Sequence, residues 1–448
     1  MSGPAASGPA ASGPAASGPA ASGPAASKPQ ASSKSVVLDA IRAAGTISRV
    51  GLIRATGFTA PTISTLVRKL INEDLVVETG HAKSTGGKRR VLLQLHHASR
   101  YAVGVHLDHG VITYALTNLG GTVVARISRP GAGAEEPGVV VARIATEIAS
   151  LIDGVGVEHT RILGVGVVFP GPVDAARGIG GPPDVGLAPA MRQWTGFPLG
   201  PALEQATTLP VVLDNDSTAA ALGEHWTGGF GTATSAAALY MGTGIGAGLV
   251  INGITYRGPS GNVGELGHVC VSADGPRCWC GARGCVEALA GPAAVVAAAR
   301  SDPAAARAVG FTVGVRRPSV VADFAAISRA ARRGEPHALA LLERSARYVG
   351  TAARTLANLM DLEVLVLTGP SLAAAGSVYL PIVRHELRSS FSRGTHTVDV
   401  RLSRSAATAS AIGAAALILE SELVPLSHGS RPPEPRAEER ARLTESAS

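Results

Sequence analysis

Cysteine is scarce in this chain: four in 448 residues, Cys270, Cys278, Cys280 and Cys285, all inside one window of 16 residues. Aromatic residues make up 4% and charged residues 16%, against 46% hydrophobic, so apolar burial can support a sizeable core with few rings in it. The length suggests two or three domains. Neither a secretory leader nor a membrane-length apolar run is read, which predicts a cytoplasmic protein with no membrane partner. Thiols there stay reduced, which excludes disulfides as the role of the cysteines. Acid is missing from one end only. The first 100 residues carry 12 Lys plus Arg against 4 Asp plus Glu, and the remaining 348 carry 28 against 29. A neutral body behind a basic front end predicts a polyanion partner for the front end alone.

The two ends lack large apolar side chains. Residues 2–26 are five copies of Ser-Gly-Pro-Ala-Ala, and a period of five is too short for a solenoid. Such a stretch cannot offset chain entropy by burial, so residues 1–33 are expected to be disordered, as are residues 423–448 with their Pro and charge.

What is present begins with the cysteine cluster. Cys278, Cys280 and Cys285 read Cys-x-Cys-x4-Cys, with His268 ten residues upstream. One imidazole and three thiolates suit a tetrahedral structural zinc, whereas buried free thiols would be scattered through a core. Cys270 sits in an alternating run with Val269 and Val271, and is expected in the core rather than among the ligands. A site with four protein ligands leaves no open position for a catalytic water, so the metal should shape the backbone. Glu265 and Glu287 flank it. Carboxylates held rigidly beside such a loop suit hydrogen bonding to sugar hydroxyls.

Residues 34–98 read as a winged helix-turn-helix. A helix over Ser35–Ala44 ends at Gly45, a second runs from Ser48 to Thr56, and Gly57 makes the turn. Thr59 caps a third helix with Pro61 in its first turn. Ile63, Leu66, Val67, Leu70 and Ile71 then form an apolar stripe. The opposite face offers Thr62, Ser64, Thr65, Arg68 and Lys69, short hydroxyls and cations suited to major-groove reading. Two strands follow, joined by a turn with Lys88, Arg89 and Arg90, a wing able to reach backbone or minor groove. The partner expected from these residues is double-stranded operator DNA. A winged helix used only as a protein-contact module is the alternative.

From Tyr101 the pattern changes to alternating strand, turn and helix. Strands ending in Asp214-Asn215-Asp216 and in Gly242-Thr243-Gly244 place polar groups and glycines at one sheet edge, where α/β proteins bind ligands. Pro170-Gly-Pro-Val-Asp174, Asn215-Asp216 with Ala-Ala-Ala-Leu-Gly-Glu224, Gly242-Thr-Gly-Ile-Gly-Ala-Gly248 and Glu265-x-x-His268 with the cysteine cluster resemble the ROK family of repressors, open reading frames and sugar kinases. The resemblance covers about residues 35–420. It implies an α/β fold, actin-like and ribonuclease-H-like, with two lobes around a cleft: lobe 1 over 99–216, completed by about 405–422, and lobe 2 over 217–404 with the zinc site. It also implies a sugar site of Asn215, Asp216, Glu265, His268 and Glu287, with Asp216 at the position of the general base in the kinases.

The same resemblance separates kinase from regulator. Kinases of the family carry Asp-x-Gly-Gly-Thr on the first hairpin, where this chain has His106-Leu107-Asp108-His109-Gly110. The paired glycines that admit phosphate are gone, and Asp108 would repel it. Gly242, Thr243, Gly244 and Gly246 remain as a vestigial phosphate loop, or as a plain turn. The expected function is a sugar-responsive transcriptional regulator, read as a repressor although the residues do not separate repressor from activator, and not an enzyme. It would answer to a small sugar or sugar phosphate, as a homodimer or dimer of dimers. The alternative is an ATP-dependent sugar kinase with a fused DNA-binding domain.

Overall fold

The computed structural model describes residues 33–81, 90–174, 178–179, 189–311 and 320–423. The repeat tail, the wing residues Lys88 and Arg89, and the Pro-rich end lie outside them. At the front, helices α1 (Ser33–Ala44), α2 (Arg49–Thr56) and α3 (Ala60–Asn72) stand beside strands β1 (Ile47–Ser48), β2 (Val76–His81) and β3 (Val91–Leu95), paired in the order β1-β3-β2. Local chemistry explains the boundaries. Ser48 Oγ accepts from the Gly51 N–H at 3.1 Å, and Gly57 ends α2 at φ 72, a left-handed conformation open to glycine. Thr59 caps α3, whose Ile63, Val67 and Leu70 are fully buried while Leu66 and Ile71 are half-buried. Each such side chain contributes roughly 2 kcal/mol of burial.

The body opens with β4 (Tyr101–Leu107), β5 (Val111–Asn118), β6 (Val123–Pro130), α4 (Pro137–Val155) and β7 (Ile162–Phe169). The short pair β8 (Val173–Asp174) and β9 (Gly178–Ile179) follows, then α5 (Leu199–Thr207), β10 (Val211–Asn215) and α6 (Asp216–Trp226). A second sheet region contains β11 (Ser235–Met241), β12 (Ile245–Ile251), β13 (Ile254–Tyr256), β14 (Val364–Thr368) and β15 (Asp399–Leu402). Its helices are α7 (Val286–Ala290), α8 (Pro292–Ser301), α9 (Pro303–Val309), α10 (Val320–Arg332), α11 (Pro336–Met360) and α12 (Pro370–Leu387). Helix α13 (Ala409–Leu423) closes the chain and returns to β4, β5 and β7.

The two five-stranded sheets run β10-β7-β4-β5-β6 and β13-β12-β11-β14-β15. Read from the first strand of each, the pattern is the same. β4 and β11 each pair antiparallel with the next strand and parallel with a later one, and that later strand pairs parallel with the last. The fold is therefore one topology used twice, with β4–β5 matching β11–β12.

Between the sheets, α13 packs at very short range on β7 and on α6. A Cβ on Gly166 would lie 1.8 Å from Ala414 O, and one on Gly413 1.7 Å from Ala219 O, so only glycine fits at either position. The apolar cluster of the front end runs on into this layer: Val37, Leu38 and Ile41 share it with Trp226, Leu417 and Leu419. Among the described residues no helix is long and apolar enough to cross a membrane.

Candidate functional site

A cavity of about 700 Å³ opens where the ends of the two sheets face each other. Asp108, Asn215 and Asp216 line it from the first sheet, and Thr243, Gly244, Gly246, Glu265, His268 and Glu287 from the second. All five residues expected to bind sugar therefore face one space, within the usual size of a small-molecule pocket. Gly242 does not line it, and it forms the turn with Gly244 at its back.

Strand β10 delivers the first pair. Asn215 caps α6, its Oδ1 accepting from the N–H groups of Ser217 at 2.8 Å and Thr218 at 3.2 Å, while its Nδ2 donates to Gly171 O at 3.1 Å. Asp216 follows, buried, with Oδ2 3.5 Å from His106 Nε2. The same nitrogen is 3.4 Å from the Tyr240 hydroxyl. Burial alone would push the His106 pKa down, but the hydrogen bond and charge of Asp216, helped by Asp108, outweigh it and hold the imidazole above its ordinary value. Burial pushes the Asp108 carboxyl up, against the pull of His106 and of the His109 N–H, which donates to it at 2.7 Å. Thr243 Oγ1 reaches the same carboxylate from the other lobe at 3.4 Å.

Glu287 sits on α7, directly after Cys285. Its Oε2 accepts from the Ile245 N–H at 2.9 Å and its Oε1 from the Trp279 indole at 2.7 Å. Glu265 keeps 44% of its side chain accessible, yet the surrounding protein still desolvates it. That burial, with the charges of Asp216 and Glu287, pushes it up to about 7.

Beneath these acids the candidate metal ligands converge. The ligand atoms of His268, Cys278, Cys280 and Cys285 all lie within 4.8 Å of one another. Cys278 Sγ is 3.6 Å from His268 Nδ1, and Cys280 Sγ is 3.8 Å from Cys285 Sγ. Tetrahedral zinc with Zn–S of ~2.3 Å and Zn–N of ~2.05 Å requires about 3.6 Å between S and N and about 3.8 Å between two sulfurs. The donor set can hold such an ion. His268 turns Nδ1 to the sulfurs and Nε2 toward Glu265, 3.9 Å away.

The expectation for Cys270 is corrected. It is exposed, not in the core. Its backbone bridges Cys285, and alternation gives the inward places to Val269 and Val271, which pack on the core of the second lobe. On α3, Ser64, Thr65, Arg68 and Lys69 are exposed, and Thr62 is half-buried with its hydroxyl 2.8 Å from that of Thr59. Arg90 is exposed at the start of β3.

Sequence reading gave no site role of their own to His106, which was noted only within the altered phosphate turn, to Tyr240 or to Trp279. The last carried a signal, being the one aromatic residue among the cysteines, and its ring meets His268 edge-on at 4.9 Å. Nothing in the sequence linked the other two, which are 134 positions apart.

Comparison with known proteins places this geometry. The ROK family model matches residues 103–421. The chain is 28% identical over 393 residues to the putative xylose repressor of Caldicellulosiruptor sp. (strain Rt8B.4), covering 87% of this chain and 96% of that protein. A crystal structure of a ROK family transcriptional regulator, a homolog of the E. coli MLC protein, superposes with a TM-score of 0.67 at 25% identity, over 88% of this chain and 97% of that one. A ROK family glucokinase from Streptomyces griseus, solved with glucose and AMPPNP, gives 0.58 at 27% identity, over 71% and 98%.

Proposed function

The chain belongs to the ROK family, and from that premise we propose that it is a sugar-responsive, DNA-binding repressor of carbohydrate-use genes. One observation carries the reading. Helix α6 begins at Asp216 in the cavity and ends at Trp226, whose ring lies 4.7 Å beneath the Arg42 guanidinium of α1. Eleven residues span about 16 Å. A sugar that shifts Asn215 and Asp216 moves one end of a rod whose other end supports the DNA-binding head. The ligand must prefer one arrangement of the lobes, typically by about 1–3 kcal/mol, to change DNA affinity.

In this reading Thr62, Ser64, Thr65, Arg68 and Lys69 meet the major groove, with Lys88, Arg89 and Arg90 on the backbone. Two copies related by a two-fold axis would read a palindromic operator. Asn215, Asp216, Glu265, His268 and Glu287 would hold the sugar hydroxyls. Zinc held by His268, Cys278, Cys280 and Cys285 would supply bracing and no reaction, because all four positions are filled by protein. Glu287 then offers the sugar oxygens already oriented by Ile245 and Trp279.

The kinase alternative keeps one argument, an aspartate at the catalytic position in the cavity. Against it, Asp216 faces His106, and Asp108 lies where phosphoryl transfer needs neutralisation of charge. The test uses an operator fragment selected from random DNA by the purified chain. Its affinity is measured by fluorescence anisotropy at fixed salt, with a panel of sugars. The expected result is at least a tenfold loss of affinity with one sugar. Steady sugar-stimulated ADP release that Asp216→Ala abolishes would replace this reading with the kinase.

A further inference from the structure

Resting on the sensor reading above, we infer that the cavity selects an unphosphorylated sugar and rejects its phosphate ester, with Asp108 setting the choice. Among the described residues that line the cavity there are four carboxylates, Asp108, Asp216, Glu265 and Glu287, and no lysine or arginine. Arg257 pairs with Asp214, next to Asn215, at 2.9 Å. A phosphate ester brings close to two negative charges at neutral pH and needs cations or free N–H groups to receive them.

Some of the backbone donors at the two turns and at the start of α6 are already engaged from within. In the turn between β4 and β5, the His109 N–H donates to the carboxylate of Asp108. In the matching turn between β11 and β12, the Ile245 N–H donates to the carboxylate of Glu287, and the Gly242 N–H to Gly244 O. At the start of α6, the N–H groups of Ser217 and Thr218 are taken by Asn215. Carboxylates of the chain itself thus stand where phosphate oxygens would sit in both turns.

The experiment is isothermal titration calorimetry on the purified full chain with glucose, mannose and N-acetylglucosamine, each paired with its 6-phosphate, and with xylose. A unit charge ~6 Å from a carboxylate at an effective dielectric of ~20 costs on the order of 100-fold in affinity. The effector sugar should therefore bind at least about 100-fold more tightly than its ester. Asp108→Asn should narrow that ratio by about tenfold or more. An ester that binds as tightly as its parent overturns the inference while leaving the sensor reading intact. A ratio unmoved in Asp108→Asn, with wild-type discrimination present, removes Asp108 from the role. No heat from any sugar, with operator binding intact, sinks the sensor reading and this inference with it. The wild-type comparison needs no variant to fold.

Discussion

The two lobes repeat one strand order, yet their equivalent turns carry opposite chemistry. Asp108-His109-Gly110 joins β4 to β5, and Gly242-Thr243-Gly244 joins β11 to β12. They meet across the cavity through Thr243 and Asp108. The first turn is held by its own side chain, Asp108 accepting from the next residue. The second is held from outside, by Glu287 on a helix that starts at the last cysteine. One half of the cavity is thus set by the ends of its own strands, and the other by the cysteine cluster.

The most forceful way to break this comparison is to remove the cluster. Cys280→Ser or Cys285→Ser should cost sugar affinity at least about 100-fold, since binding by such ligands is coupled to local folding. Hydrogen exchange should quicken at 242–246 and remain slow at 104–115. Equal loss at both turns would mean that the halves are not separately supported.

The edge strands give the next contrast. Asp214 near the end of β10 pairs with Arg257, with side-chain exposures of 8% and 27%. On the matching strand β15, Asp399 pairs with Arg401 at 51% and 44%. Truncating one partner of a buried pair strands the other charge, so Arg257→Ala should destabilise by about 3 kcal/mol. Arg401→Ala should cost under about 0.5 kcal/mol. Urea unfolding of the two variants would measure the difference, and similar losses would show Asp214 to be better solvated than its burial implies.

Gly244→Ala tests the second turn itself. Its Cβ would lie 2.5 Å from Glu287 Oε2, the atom that holds the turn. The carboxylate has to move, at a cost of roughly 1–2 kcal/mol. About a tenfold loss of sugar affinity should appear in calorimetry, with operator affinity in the absence of sugar unchanged.

These contrasts show which parts of the molecule were legible from sequence. Helix α3 was, because its caps, its proline and its apolar stripe are local and agree with one another. The His268–cysteine cluster was, because three of its four members lie within eight residues. Cys270 was misplaced because alternation in a short run marks two faces without saying which is inward. The doubled strand order left no trace, since buried strands such as Ile162–Phe169 read as continuous apolar runs wherever they lie in a sheet. Asp108 was legible as the loss of a phosphate cradle. That it shares a cavity with Asp216, and that His106 beneath them meets Tyr240, depends on residues more than a hundred positions apart in the chain coming together.

A further modest effect is expected at the seam between lobe 1 and the head. Glu420 on α13 is pushed up to about 7, because its burial outweighs the attraction of Arg257 and the hydrogen bond from Trp226. A carboxyl with a raised folded value keeps its proton after the unfolded chain has lost it. Between the ordinary 4.5 and about 7 the unfolded state therefore binds fewer protons, and stability falls as pH rises through that window, then levels off. Some solvent contact remains at this position, so the fall should be on the order of 1 kcal/mol. Glu420→Gln should flatten it without removing it, because Glu265 titrates near the same pH. Urea midpoints of both proteins from pH 4.5 to pH 8 (roughly the window of the linkage) would check this. Parallel curves would mean that Glu420 reaches water in the folded chain, and that the polar link from Asp214 and Arg257 through Glu420 to Trp226 and the head is loose.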